Sequence, residues 1–224
     1  MKKDPLIVLC SLILMSVSFL SYADNEISDN ETGCKIWNSK SLVGYAISWS
    51  GQCKNGKADG IGSLQWFYNK NPQGRYDGDY ALGKMHGHGT YAMDDGSRYI
   101  GEFQNNLRSG RGAYLWADGT RYEGDYQNNL MDGKGTIYWT DGSFYIGEFQ
   151  QDKKFGYGKL SLVLNNPYIK AFADSGKWVG NYYVVEGVFA DDNLIASCPS
   201  EAACIKKLTQ AIQVKGQKNA KGTN

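Results

Sequence analysis

The sequence lacks an excess of charge of either sign. In residues 1–23, Lys2 and Lys3 precede an apolar run of about 15 residues, which is followed by "SYA" with its small residues. This is the layout of a secretory signal peptide that is cleaved after Ala23. Without this segment, 22 of the 24 basic and 22 of the 23 acidic residues remain. Because nucleic-acid binding requires a surplus of Lys and Arg facing phosphates, this balance argues against a nucleic-acid partner.

Long hydrophobic runs are also scarce. A transmembrane helix needs about 20 apolar residues, and the N-terminal run is shorter. No later segment is apolar enough to cross a membrane. We therefore expect an exported protein, periplasmic or secreted, with no transmembrane segment after signal cleavage.

Residues that carry catalysis are few. The two histidines, His86 and His88, lie in "MHGHG"; they could be metal ligands, but they occupy variable positions beside repeated glycines, and no third ligand is located. Gly-x-Ser-x-Gly and phosphate-binding loops are missing. Paired carboxylates occur only as a repeating column, which is a poor place for unequal, tuned pKa values. We expect no enzyme, no cofactor and no metal.

Four cysteines lie beyond the signal segment: Cys34, Cys53, Cys198 and Cys204. An even number in an exported chain indicates two disulfides. Of the three possible pairings, the clustering favours Cys34–Cys53 and Cys198–Cys204. A zinc site is the alternative, but neither pair has the C-x2-C spacing of such sites.

A repeat dominates what the sequence does contain. Residues 98–120, "RYIGEFQNNLRSGRGAYLWADGT", are nearly copied at residues 121–143. The unit is aromatic-x-Gly-x-aromatic, six residues, then Gly-x-Gly, and its step is 23 residues between four copies; a degenerate copy begins 27 residues earlier, at Trp49. The four copies of the first motif are Tyr76, Gly78, Tyr80; Tyr99, Gly101, Phe103; Tyr122, Gly124, Tyr126; and Tyr145, Gly147, Phe149.

Each unit predicts two strands. Its apolar residues alternate, and Asp-Gly between alternating runs is a strong hairpin signal. A lone hairpin is marginal in water, so stacked hairpins must stabilise one another by burying a continuous aromatic face. We expect the motif glycine to make room for a ring from the adjacent strand. The fold class is all-β: an open solenoid, one elongated twisted antiparallel sheet of stacked hairpins with about ten to twelve strands, ending in a C-terminal capping helix.

Both faces of this sheet offer candidate binding residues. On one face, Tyr114, Trp116 and Trp139 could stack on sugars or simply pack against one another. On the other, Arg98 and Arg121 belong to a basic column beside an acidic one, formed by Asp79, Glu102, Asp125 and Glu148. These columns are either a charged binding strip or a solvated face with weak cross-strand ion pairs.

Strings such as "YIGEFQNNLRSGRG" and "YEGDYQNNLMDGKG" resemble the MORN (membrane occupation and recognition nexus) repeat. The resemblance covers residues 47–164 and implies an elongated sheet of hairpins that acts as an interaction module. Some family members are linked to membranes or lipid headgroups.

The chain accordingly divides into a signal peptide (1–23), an N-terminal cap (24–46), an array of five units (47–164), a degenerate half-repeat (165–196) and a C-terminal helix with a tail (197–224). We expect an exported, bacterial-type MORN-repeat protein that is a non-enzymatic, protein-binding scaffold, adaptor or immunity-type protein of the cell envelope. The alternative is a module that binds lipid headgroups or cell-wall glycan.

Overall fold

The computed structural model describes residues 26–38 and 43–210. The expected signal peptide and the tail after residue 210 lie outside these residues. The strands are β1 (Glu26–Ser28), β2 (Lys35–Trp37), β3 (Tyr45–Trp49), β4 (Gln52–Lys54), β5 (Lys57–Tyr68), β6 (Asn71–Ala81), β7 (Lys84–Ala92), β8 (Arg98–Gln104), β9 (Leu107–Leu115), β10 (Arg121–Gln127), β11 (Leu130–Tyr138), β12 (Phe144–Gln150), β13 (Lys153–Val163), β14 (Gly176–Val179), β15 (Tyr182–Ala190) and β16 (Asn193–Ser197).

All sixteen strands of the described residues belong to one open sheet, and β5 to β13 follow one another in chain order. A 3-10 helix (Pro167–Phe172) and a C-terminal helix (residues 201–210) complete the described part. The predicted all-β open sheet of stacked hairpins with a C-terminal helix is confirmed. The expected number of strands was too low, because β1–β4 and β14–β16 add seven strands where the repeat pattern fades, all of them short except β15, which has nine residues.

Two kinds of tight turn join the strands. In one, two adjacent residues have positive φ, as at Asn105 and Asn106 (52° and 71°), which is the type I′ turn that matches strand twist. In the other, the glycine of the Asp-Gly pair has a positive φ, as at Gly119 (92°). There the carboxylate of Asp118 accepts a hydrogen bond of 2.8 Å from the N–H of Thr120. Both connections of each unit are therefore specified by local sequence.

A row of glycines crosses the sheet at the motif positions. Gly112 pairs with Gly124 and Gly124 with Gly135, and the row runs without interruption from Gly62 to Gly187. The ring of Tyr122 lies over this row: a Cβ added at Gly124 or Gly135 would be 2.3 or 2.4 Å from its hydroxyl oxygen. For Gly124 the ring therefore comes from the same strand, and for Gly135 it comes from the adjacent strand. The expectation of an adjacent-strand ring was wrong for Gly124, because the tyrosine two residues earlier already lies on that face.

The first tyrosines of the motif form the core with the second aromatics. Tyr76, Tyr99, Tyr122 and Tyr145 are fully buried. Each ring meets the second aromatic of its own unit and that of the next unit in an edge-to-face contact. The contacts between units join Tyr76 to Phe103, Tyr99 to Tyr126, Tyr122 to Phe149, and Tyr145 to Phe189, with centroid distances of 5.1, 5.2, 5.0 and 5.2 Å. Neighbouring units therefore stabilise one another.

The disulfides lie at the two ends of the array. Cys34 pairs with Cys53 and Cys198 with Cys204, as the clustering predicted, with Cα–Cα distances of 5.7 and 5.3 Å. The second disulfide attaches the C-terminal helix, on which Cys204 is buried. The next residue of the helix, Ile205, is 58% exposed. Two disulfides are typical of proteins in an oxidising compartment.

The two disulfides should differ in their effect on stability. They span sequence separations of 19 and 6 residues. In the loop-entropy treatment, replacing Cys34 and Cys53 with serine should lower the free energy of unfolding by about 3 kcal/mol, and replacing Cys198 and Cys204 by about 2 kcal/mol. Urea unfolding of both double variants provides the comparison. A larger loss from the C-terminal pair would contradict this ranking.

Candidate functional site

One face of the sheet, here called the aromatic face, carries the buried motif rings and a set of partly exposed side chains beside them. The second strands of successive units, together with the residue directly after each of two of them, supply this set: Tyr91, Tyr114, Trp116, Ile137 and Trp139. The main contacts of β8–β12 are with neighbouring strands of the same sheet, so the described residues place no second layer over the middle of this face. The aromatic face is therefore an accessible apolar surface several units long.

Three residues predicted as binding candidates lie on the aromatic face. The rings of Tyr114 and Trp116 are 4.7 Å apart, and the hydroxyl of Tyr114 lies 3.1 Å from the sulfur of Met93. Trp139 lies further along the array, beside the second of two cavities described below. The rings thus pack against their neighbours and also remain partly exposed, so the same side chains can support the sheet and contact a ligand.

Arg108, which the sequence analysis missed, lies among these rings. Its guanidinium carbon is 5.1 Å from the ring centroid of Tyr114 and 5.2 Å from that of Tyr126, within cation–π range. It donates a hydrogen bond of 2.6 Å to the carbonyl oxygen of Asn129. Among the described residues it forms no ion pair with a carboxylate. Of the equivalent positions, Met85 and Met131 are apolar, whereas Lys154 is basic and forms an ion pair of 2.7 Å with Asp192. A basic residue in place of methionine was the available signal.

Arg98 and Arg121 lie on the opposite face, here called the polar face, so the structure separates the two sets of candidates. Both arginines are exposed. Arg121 forms an ion pair of 2.8 Å with Glu123 and lies 4.6 Å from the ring centroid of Tyr138. Exposed pairs of this kind contribute little to stability.

The acidic column of the polar face has a structural role. The strand register shifts between Gly124 and Tyr126, as in a β-bulge. Beside this shift the carboxylate of Asp125 accepts a hydrogen bond of 2.9 Å from the backbone N–H of Lys134, in the Gly-x-Gly segment of the facing strand. Glu102 accepts the equivalent bond of 3.0 Å from Arg111. These carboxylates satisfy backbone donors.

Two cavities open at the ends of the aromatic face. Cavity 1, of about 520 Å³, lies at the N-terminal end beside Trp66, Tyr80 and Tyr91. Cavity 2, of about 680 Å³, lies at the C-terminal end between Trp139, Leu160 and the 3-10 helix. Their volumes fall within the range of small-molecule sites.

Burial keeps the phenols of Tyr91 and Tyr99 neutral near physiological pH. Burial raises the pKa of Tyr99 to about 12, while the charge of Arg108 acts in the opposite direction. Burial also raises the pKa of Tyr91, and the nearby carboxylate of Asp94 adds to this effect. Tyr91, which is partly exposed, therefore offers an uncharged hydroxyl group to a ligand, whereas the hydroxyl of the buried Tyr99 donates a hydrogen bond of 3.0 Å to the carbonyl oxygen of Glu102.

Two further findings concern metal and membrane contacts. His86 and His88 are both exposed on β7, and no group of three or more His, Cys, Asp or Glu side chains among the described residues is arranged to hold a metal ion. Within the same residues, no helix has the length and apolar character needed to cross a bilayer.

Comparison with known proteins agrees with the periodicity of this sheet. The MORN repeat family model matches residues 49–67, 76–98, 99–121, 122–144 and 145–163. No curated protein sequence matches the chain significantly. Repeats of this family suggest a binding module. The central part of this chain is an array of five MORN repeats.

Proposed function

We propose that this protein is a non-enzymatic binding module that holds a protein partner along its aromatic face. The observation that carries the proposal is the partly exposed row of side chains on that face, with Arg108 held among tyrosine rings and free of any carboxylate in the described residues. Arginine, tyrosine and tryptophan are the residues most enriched at the energetic centres of protein interfaces.

The dimensions of the array fit this role. A specific protein interface buries about 800 Å² on each partner. One hairpin offers only two strands about 4.8 Å apart, so several adjacent units must contribute to the same interface. The partly exposed residues extend from Tyr91 to Trp139, across three successive units. We expect binding to depend on these units together, with Tyr114 and Trp139 as anchors.

We place this binding module outside the cytoplasm, in the periplasm or as a secreted protein of a bacterial type. The two disulfides and the signal-peptide pattern of residues 1–23 support this location. Within the cell envelope, the roles that suit a rigid binding sheet are those of a scaffold, an adaptor or an immunity-type protein that shields the cell from a toxin.

The substitution Arg108→Met tests the aromatic face with little risk to folding. Methionine already occupies the equivalent positions of two other units, at Met85 and Met131, so the melting temperature should be nearly unchanged. The affinity for a partner isolated from envelope extract should fall at least tenfold, because the guanidinium and its contacts are lost. Isothermal titration of the purified partner provides the measurement.

The matched control is Arg121→Met, the same change on the polar face, which should leave the affinity unchanged. Equal affinities of the wild type and both variants would contradict the proposal. Loss of binding only in the Arg121 variant, deepened by Arg98→Glu, would assign the interface to the polar face. Co-sedimentation with anionic liposomes would show whether a lipid headgroup is the ligand instead.

A further inference from the structure

Cavity 1 contains two buried polar groups that the fold does not use. The hydroxyl of Tyr80, a residue only 3% exposed, and the side-chain amide nitrogen of Asn106 are both buried, and neither forms a hydrogen bond with any part of the chain that the structure describes. Both residues line cavity 1. A buried polar group without a partner destabilises the folded state, so native proteins contain few of them. Two that line the same cavity point to a ligand.

The repeat shows that packing does not need the Tyr80 hydroxyl. Phenylalanine occupies the equivalent position in two other units, at Phe103 and Phe149. These rings make the same kind of edge-to-face contact that Tyr80 makes with Tyr76 at 5.3 Å. A phenylalanine at position 80 would fill the same space without burying a hydroxyl. The oxygen atom therefore has a cost and no structural role among the described residues.

The same comparison applies to Asn106. Its side-chain oxygen accepts a hydrogen bond of 2.8 Å from the N–H of Met85, and its φ is 71°. Asp152 occupies the equivalent position two units later, accepts a bond of 2.7 Å from the N–H of Met131, and has a φ of 67°. The turn therefore needs the oxygen and the left-handed backbone. It does not need the amide nitrogen.

The lining of cavity 1 restricts the chemistry of its ligand. Asp94 is the only charged residue among the described side chains that line it, so a phosphate or other anion would find no counter-charge. Aromatic rings line it, including Trp37, Trp66 and Tyr91, together with side-chain amides. Rings offer flat apolar faces, and amides offer both donors and acceptors. This combination suits a neutral molecule that has apolar C–H faces and a rim of hydroxyl groups.

We propose that cavity 1 binds one or two rings of a neutral pyranose sugar. The sugar ring lies against the aromatic side chains, the amide of Asn106 donates to a sugar oxygen, and the hydroxyl of Tyr80 exchanges a hydrogen bond with a sugar hydroxyl. The volume of about 520 Å³ lies in the range of pockets that bury small ligands. Arg108 does not line cavity 1, although it donates a hydrogen bond to Asn129, which does. The sugar site adjoins the proposed protein interface, but it is argued from Tyr80 and Asn106 and does not depend on the protein-binding role.

Titration of the full chain with di-N-acetylchitobiose and with cellobiose tests this site. Binding should change tryptophan fluorescence, because Trp37 and Trp66 line the cavity, and calorimetry gives the affinity. Tyr80→Phe and Asn106→Asp should each weaken binding at least tenfold and leave the melting temperature unchanged or raised. Both replacements copy residues that the other units already use at those positions.

The matched controls are Tyr126→Phe and Asn128→Asp, which make the same chemical changes outside cavity 1 and should retain full affinity. Arg108→Met should also bind the sugar normally, which separates this site from the proposed protein interface. Failure of both sugars to bind, or binding that survives both Tyr80→Phe and Asn106→Asp, would overturn the proposal. So would competition showing that a peptide segment occupies cavity 1 in place of sugar.

Discussion

Replacing Tyr122 with alanine should lower the free energy of unfolding by about 4 kcal/mol, the cost of removing a large aromatic ring from a core. Tyr122 is fully buried, and its ring lies 5.3 Å from that of Tyr126 and 5.0 Å from that of Phe149. The first contact is within its unit, and the second joins that unit to the next. Loss of the ring therefore weakens a unit and one of its interfaces together.

Urea unfolding, followed by circular dichroism and tryptophan fluorescence, provides the measurement. Tyr122→Phe is the matched control, because it keeps the ring and removes only the hydrogen bond of 3.1 Å from the hydroxyl to the carbonyl oxygen of Asp125. This control should cost about 1 kcal/mol. If the alanine variant were no less stable than the phenylalanine variant, the ring contacts would not hold the units together.

The substitution Gly124→Val should cost about 3 kcal/mol or more, because it overfills a tightly packed site. A Cβ at this position would lie 2.3 Å from the hydroxyl oxygen of Tyr122 and 2.6 Å from both the Cα of Gly135 and the carbonyl oxygen of Lys134. Two of these three atoms belong to the backbone of the facing strand. Relief of the clash would require the strands to separate.

Gln127→Val is the appropriate control, since Gln127 is exposed on the same strand and receives the same side chain. Its stability should change by less than about 0.5 kcal/mol. A turn residue such as Asn128 would be a poorer control, because its φ of 51° makes replacement by alanine costly in its own right. Similar melting temperatures for the Gly124 and Gln127 variants would refute the steric role of the glycine row.

The packing that stabilises the array also creates its binding surfaces. The motif tyrosines of the first strand of each unit lie over the glycine row and are buried. The second strand of each unit carries large apolar side chains, such as Tyr114 and Ile137, that stay partly exposed. Because each unit adds one such strand, the aromatic face lengthens with every repeat. Differences between units then provide specificity: Arg108 occupies a position that holds methionine in two other units, and Tyr80 occupies one that holds phenylalanine in two others.

The sequence by itself determined the features that depend on neighbouring residues. The 23-residue step, the alternation of apolar residues and the Asp-Gly turns predicted stacked hairpins, because turn geometry and side-chain direction are local properties. The spacing of Cys34, Cys53, Cys198 and Cys204 predicted both disulfides for a similar reason: each pair is close along the chain.

Tertiary structure decided what depends on how the strands pair and pack. Only the register of the sheet shows that the ring of Tyr122 covers glycines of two strands and that the carboxylate of Asp125 serves a backbone donor. Only the pairing of strands places Arg108 over the rings of Tyr99 and Tyr126, which lie on its two neighbouring strands. Likewise, Tyr80 and Asn106 meet at cavity 1 because the sheet brings their units together, and a repeat pattern alone cannot show which buried polar atoms lack a partner among the described residues.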